Sequence, residues 1–415
     1  MLAMVDQALV SASNLAASAF LIHYASRSEY GLYGIGYAGL ALLTGLPVGA
    51  IISQMTVLAP HESDATRLAF CSALQLALFV ACGFFGILIV VAGLIIWRFN
   101  IVPPEEARII IVVGAGAIGF IGLEFQKALL YLNGRPQTVL MLSASQTIVW
   151  AVTVALALWS ETTDLSAWVL AGCCGGAGFA IFVRRTIFPM PSSGGLRSAW
   201  IAASRAWTQG SWSLLGTIVT WVQNQGYAWV LPLLIGVASV GEMNFAKLFF
   251  APIPLLLAAV GRVATPRLAM VFATESKRSA VIHGRRLLLL VVVVLVAYFA
   301  AVLVTKDWII AHYAKRGYEN AGILIIAWGV VAAIQVSRWN STVLLVVFRR
   351  NRQMTGWSAL SAVVATVLSV ALAPSQGVIG ALIGMAAGEA ILTGLLWRTV
   401  SKVASEEPEP SRNPA

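Results

Sequence analysis

The sequence has little charge. Asp, Glu, Lys and Arg make up 11% of 415 residues, against 59% hydrophobic residues and a mean hydropathy of +0.85. A soluble domain carries about 25% charged residues. That shortage excludes the soluble classes and leaves a polytopic membrane protein. Thiols and imidazoles are scarce too. Cys71, Cys82, Cys173 and Cys174 all fall inside apolar segments, with no CxxC among them. His23, His61, His283 and His312 are scattered. This argues against a disulfide framework or a metal site and reads the cysteines as small packing residues. No nucleotide-binding loop occurs, so any transport must draw on an ion gradient, the membrane potential or a substrate gradient. No cofactor and no catalytic set are expected. The first apolar segment lacks a basic start and runs directly into a second, the pattern of a retained span rather than a cleaved leader.

What is present is a succession of long apolar stretches. A helix needs about 20 such residues to cross a bilayer. That ruler predicts spans at Met4–Ala25, Gly31–Leu58, Leu68–Trp97, Arg108–Leu132, Gln137–Trp159 and Ala167–Phe188. It predicts further spans at Arg205–Ile235, Gly241–Ala264, Leu287–Thr305, Ala321–Val347, Met354–Ala373 and Val378–Arg398. The fold class is therefore all-α, with about twelve transmembrane helices. Between the sixth and seventh spans lies a polar stretch rich in Pro, Gly and Ser and flanked by Arg184, Arg185, Arg197 and Arg205. Such composition marks a loop. The chain divides accordingly into an N-terminal six-helix lobe (1–188), a cytoplasmic connector (189–204), a C-terminal six-helix lobe (205–400) and a disordered cytoplasmic tail (401–415).

Basic residues exceed acidic ones, 27 to 17, for a net charge of +10. With the N-terminus placed inside, the outer ends hold only Arg27, Arg98, Arg108, Lys306, Lys315 and Arg316. Lys127, Lys247 and Arg338 fall within spans. The rest of the 27 lie at inner ends. That is the positive-inside bias, and it puts both termini in the cytoplasm. It also accounts for the net charge without a nucleic-acid partner. Trp97, Trp159, Trp168 and Trp308 fall at outer ends and Trp200, Trp207, Trp357 and Trp397 at inner ones, as in an aromatic belt.

Gly380, Gly384 and Gly388 form a doubled GxxxG, which suits close helix packing within a lobe. Pro47, Pro232, Pro252 and Pro254 interrupt spans, and each removes a backbone donor. The stretch from Lys306 to Asn320 is amphipathic and reads as lying on the outer membrane surface.

Asp6-Gln7-Ala8-Leu9-Val10-Ser11-Ala12-Ser13-Asn14, followed by Ser28-Glu29-Tyr30-Gly31-Leu32-Tyr33, resembles the start of the Wzx-type polysaccharide and O-antigen flippases. These belong to the multidrug/oligosaccharidyl-lipid/polysaccharide (MOP) exporter superfamily. Asn133-Gly134-Arg135-Pro136, the segment from Gly236 to Leu248 leading to Pro266-Arg267-Leu268-Ala269, and Gly317-Tyr318-Glu319-Asn320-Ala321 are similar as well. The resemblance implies two six-helix bundles around a central cavity in a bacterial inner membrane. It implies movement of an undecaprenyl-diphosphate-linked sugar to the periplasmic leaflet, with a polysaccharide polymerase as a downstream partner. Many relatives carry an acidic–basic pair in the seventh span, where this chain has Gln223-Asn224-Gln225-Gly226.

A diphosphate and its sugars need a wet, cationic path. Arg and Lys suit phosphate oxygens, and amides suit sugar hydroxyls. Lys247 and Arg338, the latter near Asn340, are the candidate substrate-attracting residues, with snorkelling to an interface as their alternative use. Gln209, Gln223, Asn224 and Gln225 are candidates for sugar contact, or for helix–helix hydrogen bonding. Arg205 and Arg262 sit nearer the inner surface and suit either headgroup anchoring or an intake funnel. Asp6, Glu124 and Glu389, with Lys127, are the candidates for ion coupling. Glu124 and Lys127 are three residues apart and could instead pair with each other. A multidrug or small-molecule cation antiporter of the same superfamily is the alternative function. An extracytoplasmic enzyme domain is excluded, because no outer loop is longer than the stretch from Lys306 to Asn320.

Overall fold

The computed structural model describes residues 2–187, 195–314, 317–318 and 321–405. Residues 189–194 of the proposed connector and 406–415 of the tail lie outside the described residues. Against the expected loop and disordered tail, the chain is helical from Leu196 onward and again as far as Ser405. Among the described residues ten helices are long and apolar enough to cross a membrane, and there is no strand.

Six spans lie ahead of the connector. They are α1 (Leu2–Tyr24), α2 (Arg27–Pro47) continued by a π turn at Val48–Ile52 and α3 (Ser53–Leu58), α4 (Asp64–Arg98), α5 (Pro104–Leu132), α6 (Pro136–Trp159) and α7 (Leu165–Ile187). Proline explains several of these limits. Pro104 and Pro136 sit in the first turns of α5 and α6, where a missing N–H costs nothing. Pro47 stands at the end of α2 and the π turn follows it directly, the kind of local defect that a lost ladder bond brings.

The seventh and eighth predicted spans are broken helices. The seventh comprises α8 (Leu196–Gln225) and α9 (Tyr227–Ile235), with Gly226 between them. The eighth comprises α10 (Ala238–Leu248) and α11 (Pro252–Thr274), the latter opened by Pro252. α12 (Lys277–Tyr313) and α13 (Ala321–Val347) follow. Here the structure departs from the sequence reading. Lys306–Tyr313 is the continuation of α12 rather than a separate surface helix. No proline or glycine intervenes after Gly284 to end that helix earlier. The last two predicted spans are α14 (Asn351–Ser405), divided at Gly377, whose φ of 63° lies in the left-handed region that favours glycine.

The chain forms two compact units, Met1–Trp221 and Val222–Ala415, with the boundary inside α8. In unit 1, α8 is fixed by close contact. Trp221 Nε1 donates to the Ala38 carbonyl at 3.1 Å, and Gly210 abuts the Ala50 carbonyl in the π turn. In unit 2 the Gly380–Gly384–Gly388 stripe packs against the first half of α14, at Leu372, Ser369 and Ala365. Ser369 Oγ donates across this contact to the Ala381 carbonyl at 3.1 Å, and Ser361 Oγ to that of Gly388 at 2.8 Å. A Cβ on Gly384 would lie 2.5 Å from the Ser369 backbone nitrogen. Gly384→Val is therefore expected to destabilise unit 2 by about 1–3 kcal/mol, read as a lowered unfolding temperature in detergent.

Large apolar side chains remain exposed along the spans, including Leu289, Leu290, Val293 and Val296 on α12. In a bilayer these faces meet lipid tails.

Candidate functional site

A polar centre in unit 1 begins with a buried acid. Asp6 on α1 is 6% exposed, and a carboxylate in so dry a place must be hydrogen-bonded or paired. Tyr131 Oη donates to its Oδ2 at 2.9 Å and Ser143 Oγ donates to its Oδ1. Lys127 Nζ stands 4.0 Å from Oδ1. The acid that Lys127 meets is thus Asp6 across the bundle. Glu124, one turn earlier on α5, has no hydrogen bond or ion pair among the described residues.

Glu124 and Lys127 both line a cavity of about 290 Å³. Asn14 of α1, Tyr37 and Thr44 of α2, and Gln146, Thr147 and Trp150 of α6 complete its polar wall. Asn14 Nδ2 donates to Tyr37 Oη at 3.0 Å. Ser13 and Thr147 share a hydroxyl contact of 3.0 Å. Trp150 Nε1 is buried and has no partner among the described residues. Sequence reasoning found Asp6, Glu124 and Lys127 but gave no role to Tyr37, Gln146, Thr147 or Trp150. A signal for them exists. Ser143, Gln146, Thr147 and Trp150 recur at helical spacing and put one polar stripe on an otherwise apolar span.

The centre in unit 2 is built on the two broken helices. The break at Gly226 sets the Asn224 carbonyl and Tyr227 beside α10. Lys247 Nζ donates to that carbonyl at 3.2 Å and to Tyr227 Oη at 3.1 Å. Tyr227 Oη donates onward to Asn244 Oδ1 at 2.6 Å. The ammonium also lies 5.0 Å from the Tyr227 ring centroid and 5.7 Å from that of Trp328, within cation–π range. Among the described residues no carboxylate pairs with it. Lys247 is a positive charge held by neutral groups.

Arg338 differs. Its Nε is 2.9 Å from Glu389 Oε2, off the alignment of a hydrogen bond but close enough to pair the charges. Gln335 Nε2 donates to the other carboxylate oxygen at 3.3 Å. Glu389 is 3% exposed, so the structure joins a candidate anion-attracting residue to a candidate coupling acid.

The remaining candidates are dispersed. Asn340 is fully buried and donates to the Gly284 carbonyl at 3.0 Å. Gln223 donates to Ser361 Oγ at 3.1 Å. Both amides serve packing contacts inside unit 2. Gln225 is the last residue of α8 and is partly buried. The side chain of Gln209 lies outside the described residues. Arg205 is exposed, 2.6 Å from Glu62 and over the Phe70 ring at 5.5 Å. Arg262 is exposed on α11.

Solved structures with a similar fold include MOP superfamily transporters. A multidrug resistance MATE family transporter of the MOP superfamily, inward-facing, superposes with a TM-score of 0.69 at 15% identity over 95% of this chain and 96% of that one. The lipid II flippase MurJ, in an inward closed conformation, gives 0.73 at 12% identity over 96% and 87%. The fold is that of the MOP transporters. A MOP superfamily transporter from Pyrococcus furiosus, described as having a binding pocket of reverse polarity, gives 0.60 at 15% identity over 97% and 94%. No protein-family model and no curated protein sequence matches the chain.

Proposed function

We propose that the protein is a flippase. On this reading it moves an undecaprenyl-diphosphate-linked oligosaccharide from the cytoplasmic to the periplasmic leaflet of a bacterial inner membrane by alternating access, for surface polysaccharide synthesis. The observation that carries the reading is Lys247. A charge at membrane depth costs about 3 kcal/mol on insertion scales and is retained where it serves a path or a partner. Among the described residues no carboxylate neutralises this one, yet it is fixed by a carbonyl, a phenol and two rings. Such a site attracts an anion, and a diphosphate suits it. The likeness to a lipid II flippase supports the same reading. Asp6 with Lys127, and Glu389 with Arg338, are then the candidates for coupling, since each acid is buried beside a base. The lobes at 1–188 and 205–400, the cytoplasmic termini and a polymerase acting downstream belong to the same proposal.

The rival is a small-molecule cation antiporter, favoured by Glu124, an unpaired acid in a cavity with aromatic walls. Reconstitution separates the two. Proteoliposomes should transfer a fluorescent undecaprenyl-diphosphate-linked saccharide between leaflets and should not exchange ethidium for protons. The reverse result establishes the antiporter.

A further inference from the structure

We infer that the unit 1 cavity is a saccharide-binding subsite that takes one or two sugar rings of the transported glycan. The inference rests on the flippase reading and assigns a place to the sugars, for which the sequence offered Gln209, Gln223, Asn224 and Gln225 instead. Gln223 is committed to Ser361. The unit 1 cavity, in contrast, has polar groups left to use.

Its inventory decides the ligand class. Trp150 lends its ring to the wall, while its Nε1 is shut off from the open space and has no partner among the described residues. Tyr37 Oη accepts from Asn14 and keeps its own hydrogen to give. The Asn14 side-chain oxygen and both Glu124 oxygens remain as acceptors among the described residues. Tyr37 and Lys127 therefore bring donors, and Asn14 and Glu124 acceptors, to the lining of one space. An inorganic anion would meet the Glu124 carboxylate, and an organic cation would satisfy Glu124 but leave the hydroxyl and amide groups of the wall unused. A lipid tail would leave every polar group unpaired, at a cost for each. A polyhydroxyl ring satisfies the whole set, because each sugar hydroxyl both donates and accepts. Its C–H faces also fit against the aromatic walls of Tyr37, Phe120 and Trp150. The volume of about 290 Å³ lies at the lower edge of small-molecule pockets, about 300–1,000 Å³. It suits a terminal sugar or two, and a longer glycan extends beyond it.

The test is binding to the purified full-length protein in detergent, followed by native mass spectrometry. One probe is undecaprenyl diphosphate. The other is the glycosylated undecaprenyl-diphosphate lipid extracted from the cell that expresses the protein. Wild-type protein is expected to prefer the glycosylated lipid. Trp150→Ala should weaken that lipid about tenfold, the usual scale for losing a packed aromatic ring, and leave undecaprenyl diphosphate unchanged. The near-isosteric Glu124→Gln should shift the same preference in the same direction, and it keeps the test valid if the tryptophan variant fails to fold. A preference equal to wild type in the folded variants overturns the subsite and leaves the flippase reading standing. Wild-type protein that binds neither lipid overturns both. Ethidium binding that is lost in Trp150→Ala and Glu124→Gln also overturns the subsite, since the cavity would then be a cation pocket.

Discussion

Replacing Lys247 with alanine abolishes transport and leaves the protein folded. The ammonium is expected to supply a charge-assisted contact to a phosphate oxygen, and such a contact is worth about 1.5–3 kcal/mol, or roughly 10- to 100-fold in binding. The same residue contributes little to stability. Its hydrogen bonds to the Asn224 carbonyl and Tyr227 offset the cost of keeping an unneutralised charge within the membrane. The unfolding temperature of Lys247→Ala should therefore equal or exceed that of wild type. Lys247→Arg should retain part of the activity, since the charge survives while the compact fit between Tyr227 and Trp328 does not. The check is a pair of measurements on one preparation, thermal unfolding and transfer of the lipid-linked saccharide. A large fall in unfolding temperature would make Lys247 a structural residue and remove the main support for the flippase reading.

Arg338 is expected to behave in the opposite way. Arg338→Ala leaves Glu389, at 3% exposure, without its counter-charge. Removing one partner of a buried ion pair costs about 3–5 kcal/mol, because the other charge stays buried and uncompensated. The variant should reach the membrane in reduced amount and unfold at a markedly lower temperature. The double replacement Arg338→Leu with Glu389→Leu removes both charges and should recover most of that loss. Unfolding measurements on the two single variants and the double variant form the cycle that isolates the pair. If Arg338→Ala kept wild-type stability and lost only transport, the arginine would serve the substrate and the ion pair would be incidental.

These contrasting expectations show where sequence and structure part company. Both Lys247 and Arg338 read as lone cations inside apolar spans. Their partners cannot be read from spacing, because Glu389 is on α14 and Trp328 on α13, brought near only by helix packing. Asp6 and Lys127 are a similar case, joined across the bundle although Glu124 is the nearer acid in sequence. The helices themselves were legible from apolar length, while Pro252, read as an interruption of the eighth span, opens a helix of its own. The glycine stripe of α14 was legible for the same local reason, and the structure gives it the packing role expected of small residues. The end of α12 was not, because amphipathic residues after Thr305 continue the helix as readily as they start a new one. The cavity wall went unread because Tyr37 on α2 and Gln146 and Trp150 on α6 are unremarkable one at a time. Only their convergence makes a site.

The central claim is that a lipid-linked saccharide is the cargo. The most direct measurement deletes the gene from the cell that expresses it, extracts the lipid-linked saccharides and determines which leaflet held them. The account predicts complete repeat units accumulating on the cytoplasmic leaflet, cleared by the wild-type gene and not by Lys247→Ala. Unchanged lipid-linked saccharides, together with increased sensitivity to cationic drugs, would contradict it and establish the antiporter.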